Sequence, residues 1–160
     1  MSRRKAREIV LCLVFEKEYH RDCGCEKLYN DLFENCGIEE IYNSFGENKN
    51  KADVITEPDE IYIKSTFFGV FENIVQIDDI ISGSTIGWEY GRISKISMAL
   101  LRIAVYEIIH AEDIPTSVAI NEAVELSKRY DDPEAYTFIN GVLGAVVKNN
   151  NNIGDFTNHG

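Results

Sequence analysis

No run of apolar residues in this chain is long enough to cross a bilayer, which sets aside a helical membrane span. The basic start, Met1 to Arg7, is followed by Glu8, Glu16, Lys17 and Glu18 and not by an apolar signal core, so the chain is expected to stay in the cytoplasm. Histidine is sparse: His20, His110 and His159 are scattered, and none is paired at metal-ligand spacing. There is no glycine-rich phosphate loop and no strand-turn-helix nucleophile motif. Carboxylates are abundant but stand in no distinguishing context. The chain is therefore read as not an enzyme, with no catalytic residue, no metal and no cofactor. Internal repeats are missing and strand-like alternation is slight. Basic charge is also short: Lys and Arg number 16 against 27 Asp and Glu, a formal net charge of -11. That balance excludes a broad duplex-binding surface, which needs clustered cations.

What is present is helical periodicity across a length that suits one domain. A first helix is expected from about Arg3 to Tyr19, burying Ala6, Ile9, Val10, Leu13 and Val14. After a turn at Arg21 to Gly24, a second spans about Glu26 to Cys36. Gly37 to Asp59 reads as a long mobile connection with a short turn at Ile41 to Phe45. A third helix runs from Asp59 to about Val75, with Ile63, Phe67, Val70, Phe71 and Ile74 inward. Asp78 is read as the cap of a short fourth helix reaching Ser84. Gly83, Gly87 and Gly91 then break the chain around Trp88. Ser94 caps a fifth helix, Lys95 to His110, which is apolar nearly all round and so belongs at a centre. Pro115 opens a sixth helix to Tyr130, and Asp132-Pro133-Glu134 signals the start of a seventh. Its stripe is Ile139, Val142, Leu143 and Val146. Residues 149–160 read as a disordered polar tail. The fold class is all-α, a compact bundle of about seven helices.

Few residues stand out chemically. Arg3, Arg4, Lys5 and Arg7 crowd the start of the first helix, where cations oppose the helix dipole at about 0.3–1 kcal/mol each. A phosphate-binding patch explains them; a solvated, frayed terminus explains them as well. Arg102 lies inside the apolar run Met98 to Ile109 and needs an anionic partner. Glu122 is the expected one and Glu107 the alternative, so Arg102 is read as half of a structural ion pair. Gly141 and Gly144 interrupt the last helix, which close helix packing or close approach of a ligand would explain. Phe138, just before them, is either core or a base-stacking platform. The four cysteines, Cys12, Cys23, Cys25 and Cys36, are expected to stay reduced. His20, Cys23, Cys25 and Cys36 make a poor metal set, because Cys23-Gly24-Cys25 leaves one residue between thiols where zinc sites leave two or more.

Three segments together resemble the NusB family. They are Arg3-Arg4-Lys5-Ala6-Arg7-Glu8; Leu101-Arg102-Ile103-Ala104-Val105-Tyr106-Glu107-Ile108; and Ile114-Pro115 through Val118-Ala119-Ile120-Asn121-Glu122-Ala123-Val124-Glu125-Leu126 to Phe138-Ile139-Asn140-Gly141-Val142-Leu143. Trp88, Arg92 and Ile93 match the family's approach to its fifth helix. The resemblance makes residues 1–148 a NusB-like helical domain of two three-helix halves with a short extra helix. It implies a transcription antitermination adaptor that binds boxA-type single-stranded RNA with NusE, the small-subunit ribosomal protein, and joins RNA polymerase on ribosomal RNA operons. Carried over, Arg3, Arg4, Lys5 and Arg7 match the RNA-binding start and Phe138 an aromatic that contacts bases. Phe15 matches a position near the NusE-binding face. Ser97 stands where an acidic residue often helps to contact NusE, and Thr137 where some relatives carry lysine. These departures and the acidic body imply weak RNA binding alone, with NusE supplying affinity.

Two other functions compete with this one. The first is a protein-interaction module of the same fold, for instance one that self-associates through its first helix into a homodimer, with no RNA role. The second is a piece of an RNA cytosine methyltransferase, in which a NusB-like domain precedes the catalytic one; that reading is expected to hold only if the sequence is a fragment of a longer protein.

Overall fold

The structure is a computed structural model that describes residues 1–35, 55–85, 87–88 and 93–158, the side chains of 33–35 and 151–158 excepted. Cys36 and most of the connection expected at Gly37 to Asp59, its turn at Ile41 to Phe45 included, lie outside the described residues. Among those described, every regular element is an α-helix, seven in all. They fall into two units, Met1–Glu72 and Asn73–Gly160.

The first unit holds α1 (Arg3–Tyr19), α2 (Cys25–Asn35) and α3 (Glu57–Glu72). Ser2 caps α1, its side chain accepting the Lys5 N–H at 3.2 Å. The expected stripe of α1 is buried, but so is every residue from Ala6 to Val14. Leu11 and Cys12 lie off the stripe and are small or apolar enough to be buried beside it. Burial also pushes the Cys12 thiol far above its usual range, the Glu16 and Glu8 carboxylates adding to the effect, which leaves it inert. The core between these helices is aromatic. Phe67 is fully buried, with Tyr29, Phe68 and Phe71 ring centroids 6.5, 5.6 and 5.5 Å away. α3 begins two residues earlier than expected, taking in Pro58. Proline fits a helix's first turn, where its missing N–H would have no partner anyway.

The second unit holds α4 (Ile74–Ser84), α5 (Lys95–His110), α6 (Thr116–Tyr130) and α7 (Ala135–Asn158). α5 packs on all three others, the central place its sequence demanded. Ser94 caps it as expected, accepting the Ser97 N–H at 2.9 Å. α4 begins at Ile74 after Asn73, so Asp78 sits within the helix and does not cap it. Pro133 and Glu134 form a turn one step ahead of α7, which opens at Ala135. The stripe Ile139, Val142, Leu143 and Val146 is fully buried. α7 continues to Asn158, through the stretch expected to be a disordered polar tail. Asn150 donates to the Val146 carbonyl at 2.8 Å, and extending a formed helix costs little compared with starting one.

The two glycines of α7 serve different ends. A Cβ on Gly141 would come within 3.2 Å of Cζ2 of Trp88, whereas one on Gly144 would meet nothing within 4 Å. Gly144→Ala is therefore expected to stabilise the protein by about 1 kcal/mol, the ordinary helix gain over glycine. Gly141→Ala should return less, because the indole must shift by a few tenths of an ångström. Thermal melts of the two variants check the order; equal gains would show that Trp88 does not press on Gly141.

Candidate nucleic-acid interface

Each unit carries one part of the expected site. In the first, the start of α1 is tied to the start of α3: the Met1 amine lies 3.1 Å from the Asp59 carboxylate. That carboxylate also accepts from Thr56 N–H at 2.9 Å and Thr56 Oγ1 at 2.7 Å. Partial burial pushes the Asp59 carboxyl up, but these donors and the amine outweigh it and hold it below the usual carboxylate range. No acid occupies the first turn of α1.

The four early cations are not equivalent. Arg3 and Arg4 are exposed and Lys5 is half-buried, whereas Arg7 is only 4% exposed. The guanidinium of Arg3 lies 4.1 Å from the Tyr62 ring centroid and that of Arg7 5.6 Å from it, so both use α3 as a platform. Arg3 and Arg7 are one helical turn apart and share that face. Of the four, the cations open to solvent are thus Arg3 and Arg4, with Lys5 half-buried and Arg7 buried beneath them. Further along α1, Phe15 is half-buried and meets Tyr19 edge-on at 5.3 Å, and Tyr19 is 56% exposed. Tyr19 was not singled out from the sequence, although its spacing from Phe15 puts both on one face.

In the second unit, Phe138 is half-buried on α7 and meets Trp88 at 5.1 Å with the rings at 74°. Trp88 is 44% exposed. It follows Gly87, whose φ of 92° is open to glycine and strained for other residues. Gly141 gives the indole room to lie against α7. Trp88 and Phe138 border a cavity of about 470 Å³ whose polar lining includes Ser94, Asp131, Asp132 and Glu134.

Ser97 also lines this cavity but is 2% exposed, and its hydroxyl donates to the Asp131 carboxylate. Ser94 Oγ stands 3.0 and 2.9 Å from the two oxygens of the same group. The Asp132 N–H donates to it at 2.8 Å. Asp131, at the end of α6, thereby caps the start of α5 with negative charge where the helix dipole favours it. Ser97 is built into this knot, which leaves its side chain little to offer a partner directly.

Arg102 finds its carboxylate on α4. Nε and Nη2 donate to the two oxygens of Asp78 at 2.9 and 3.1 Å, a bidentate pair. Asp78 thus takes two donors of the fork that the sequence had assigned to Glu122, which is half-buried on α6 with contacts of its own. Asp78 was missed because aspartate before a short helix reads first as a cap. Among the described residues no three His, Cys, Asp or Glu side chains gather as a metal group, and Cys12, Cys23 and Cys25 are free thiols.

A profile of the NusB family matches residues 4–148. The transcription antitermination protein NusB of Acetivibrio thermocellus is 42% identical over 148 residues, covering 92% of this chain and 90% of the relative. That of Clostridium perfringens is 40% identical over 149 residues, covering 93% and 98%. Among solved structures, T. maritima NusB superposes with a TM-score of 0.70 at 31% identity over 92% of both chains. A structure of the antitermination factors NusB and NusE in complex with double-stranded RNA gives 0.69 at 25% identity, covering 91% of this chain and 96% of that one. The chain belongs to the NusB family of transcription antitermination proteins, which are not enzymes.

Proposed function

We propose that this chain works in the cytoplasm as an RNA-binding adaptor: it takes up boxA-type single-stranded RNA together with NusE and joins RNA polymerase on ribosomal RNA operons. The observation that carries the RNA role is the pair of exposed arginines, Arg3 and Arg4, opening α1 with no acid in its first turn. The structural neighbour that holds NusE and RNA supports the partners. That neighbour's RNA is double-stranded; the half-exposed Phe138 favours a single strand here, because only an unpaired base can lie on an aromatic ring. The net charge of -11 opposes phosphate and makes the adaptor dependent on NusE for tight binding.

Replacing Arg3 and Arg4 together by alanine is expected to lower affinity for boxA-type RNA about tenfold or more near physiological salt. The slope of log affinity against log salt should flatten by about 1.4, some 0.7 for each lost single-strand phosphate contact. Helical content should be unchanged, since both side chains are exposed. Binding by the double variant with the wild-type slope would remove the RNA role. A competing reading, a partner-binding or self-associating module without RNA, is favoured by the exposed Tyr19 and the half-buried Phe15 that it meets. Light scattering during titration with NusE, with and without RNA, separates the two.

A further inference from the structure

We infer that Trp88 and Phe138 form the walls of a slot for one unpaired nucleobase, with Trp88 as a base-contacting residue in its own right. This rests on the RNA-binding reading above. Trp88 is 44% exposed, although its indole already meets Phe138 on one side and α7 at Gly141 on another. Two features of the chain serve that placement: the left-handed backbone at Gly87 and the absence of a side chain at Gly141. The neighbouring cavity of about 470 Å³ lies within the range of small-ligand sites.

The lining says which part of a nucleotide enters. Asp131, Asp132 and Glu134 repel phosphate, so the phosphodiester must pass outside while the neutral base points in. A guanidinium or ammonium group is the competing occupant. Asp131, the more buried carboxylate, already accepts from Ser94, Ser97 and the Asp132 N–H, and the other two acids are exposed and solvated. Those donors are neutral and leave the negative charge in place, so a cation is the rival occupant that the experiment separates, whereas a neutral base needs no counter-charge. Carboxylates accept hydrogen bonds and cannot donate them. They suit the exocyclic amines of cytosine, adenine or guanine; uracil sets its single N–H between two carbonyl oxygens. The slot therefore takes an amino-bearing base in preference to uracil.

Trp88 is the chain's single tryptophan, so its emission reports on this site alone. Labelled boxA-type RNA is titrated with the full chain, and anisotropy of the label is read beside tryptophan emission. The expected result is quenching that tracks the anisotropy rise, since a stacked base quenches indole. Trp88→Ala should weaken RNA binding roughly tenfold and Trp88→Phe far less, stacking being tolerant of the ring. An RNA abasic at one position should show the same loss on the wild type and no further loss on Trp88→Ala. Unlabelled cytosine and adenine homopolymers should quench at lower concentration than uracil homopolymer. Melting curves establish that the variants are folded, and the wild-type quenching needs no variant. If anisotropy rises while emission and the Trp88→Ala affinity stay put, the slot is overturned and RNA binding stands. Quenching by an oligo-arginine peptide but not by RNA overturns it in favour of a cationic occupant. If anisotropy stays flat with and without NusE, the RNA reading and the slot fall together.

Discussion

Phe67→Ala is expected to cost about 3–5 kcal/mol, the range for removing a fully buried phenylalanine, and to be the most damaging single truncation in the first unit. The side chain is fully buried and touches three other rings, while Ile63 and Val70, one turn away on either side, are also fully buried. Alanine leaves a cavity among rigid rings, and rings collapse into a void less easily than aliphatic chains do. Phe68 is the control: it touches the same cluster but is half-buried, and its truncation should cost a fraction as much. Urea unfolding followed by circular dichroism checks both. The consequence reaches the site, because α3 also carries Tyr62, the platform beneath Arg3 and Arg7. A loss below about 1.5 kcal/mol for Phe67→Ala would show that the aromatic cluster can repack freely.

The sequence made some of this legible and hid the rest for identifiable reasons. α5 could be read outright, since a helix apolar nearly all round has only one place to go, and Ser94 announced its start. The burial of Arg7 was also encoded, though overlooked. It stands three residues before Val10 and seven before Val14, both buried, whereas Arg3 and Arg4 lie nearer the start of the helix, ahead of its buried stretch. Asp78 and Asp131 could not be picked out in this way. With 27 acidic residues in the chain, local context gives each of them much the same meaning. Only the packing of α4 on α5, and of α6 on α5, selects which carboxylate meets Arg102 and which meets Ser94 and Ser97. Trp88 was obscured differently. The glycines around it signal a chain break, and a break says nothing of the side chain it presents. Its importance comes from Gly141, 53 positions on, which makes room for it.

Breaking the Arg102–Asp78 pair should be the largest polar effect in the second unit, and unequal from its two ends. The Arg102 side chain is 12% exposed and that of Asp78 39%. Asp78→Ala strips a nearly buried guanidinium of its bidentate carboxylate and is expected to cost about 3 kcal/mol, the low end for a buried pair because solvent reaches the acid side. Arg102→Met keeps the aliphatic stem packed and leaves behind a carboxylate that water can take over, so about 1–2 kcal/mol is expected. The double variant removes both halves of the fork. It should cost less than the two singles added together, with a coupling of about 1.5–2 kcal/mol by denaturant unfolding of all four proteins. Sodium chloride at 1 M should shrink that coupling only in part, since one partner is shielded from solvent. Additive single costs would mean the fork contributes geometry without energy, and the placement of α4 against α5 would then rest on its apolar face, in which Ile77 and Ile81 are fully buried.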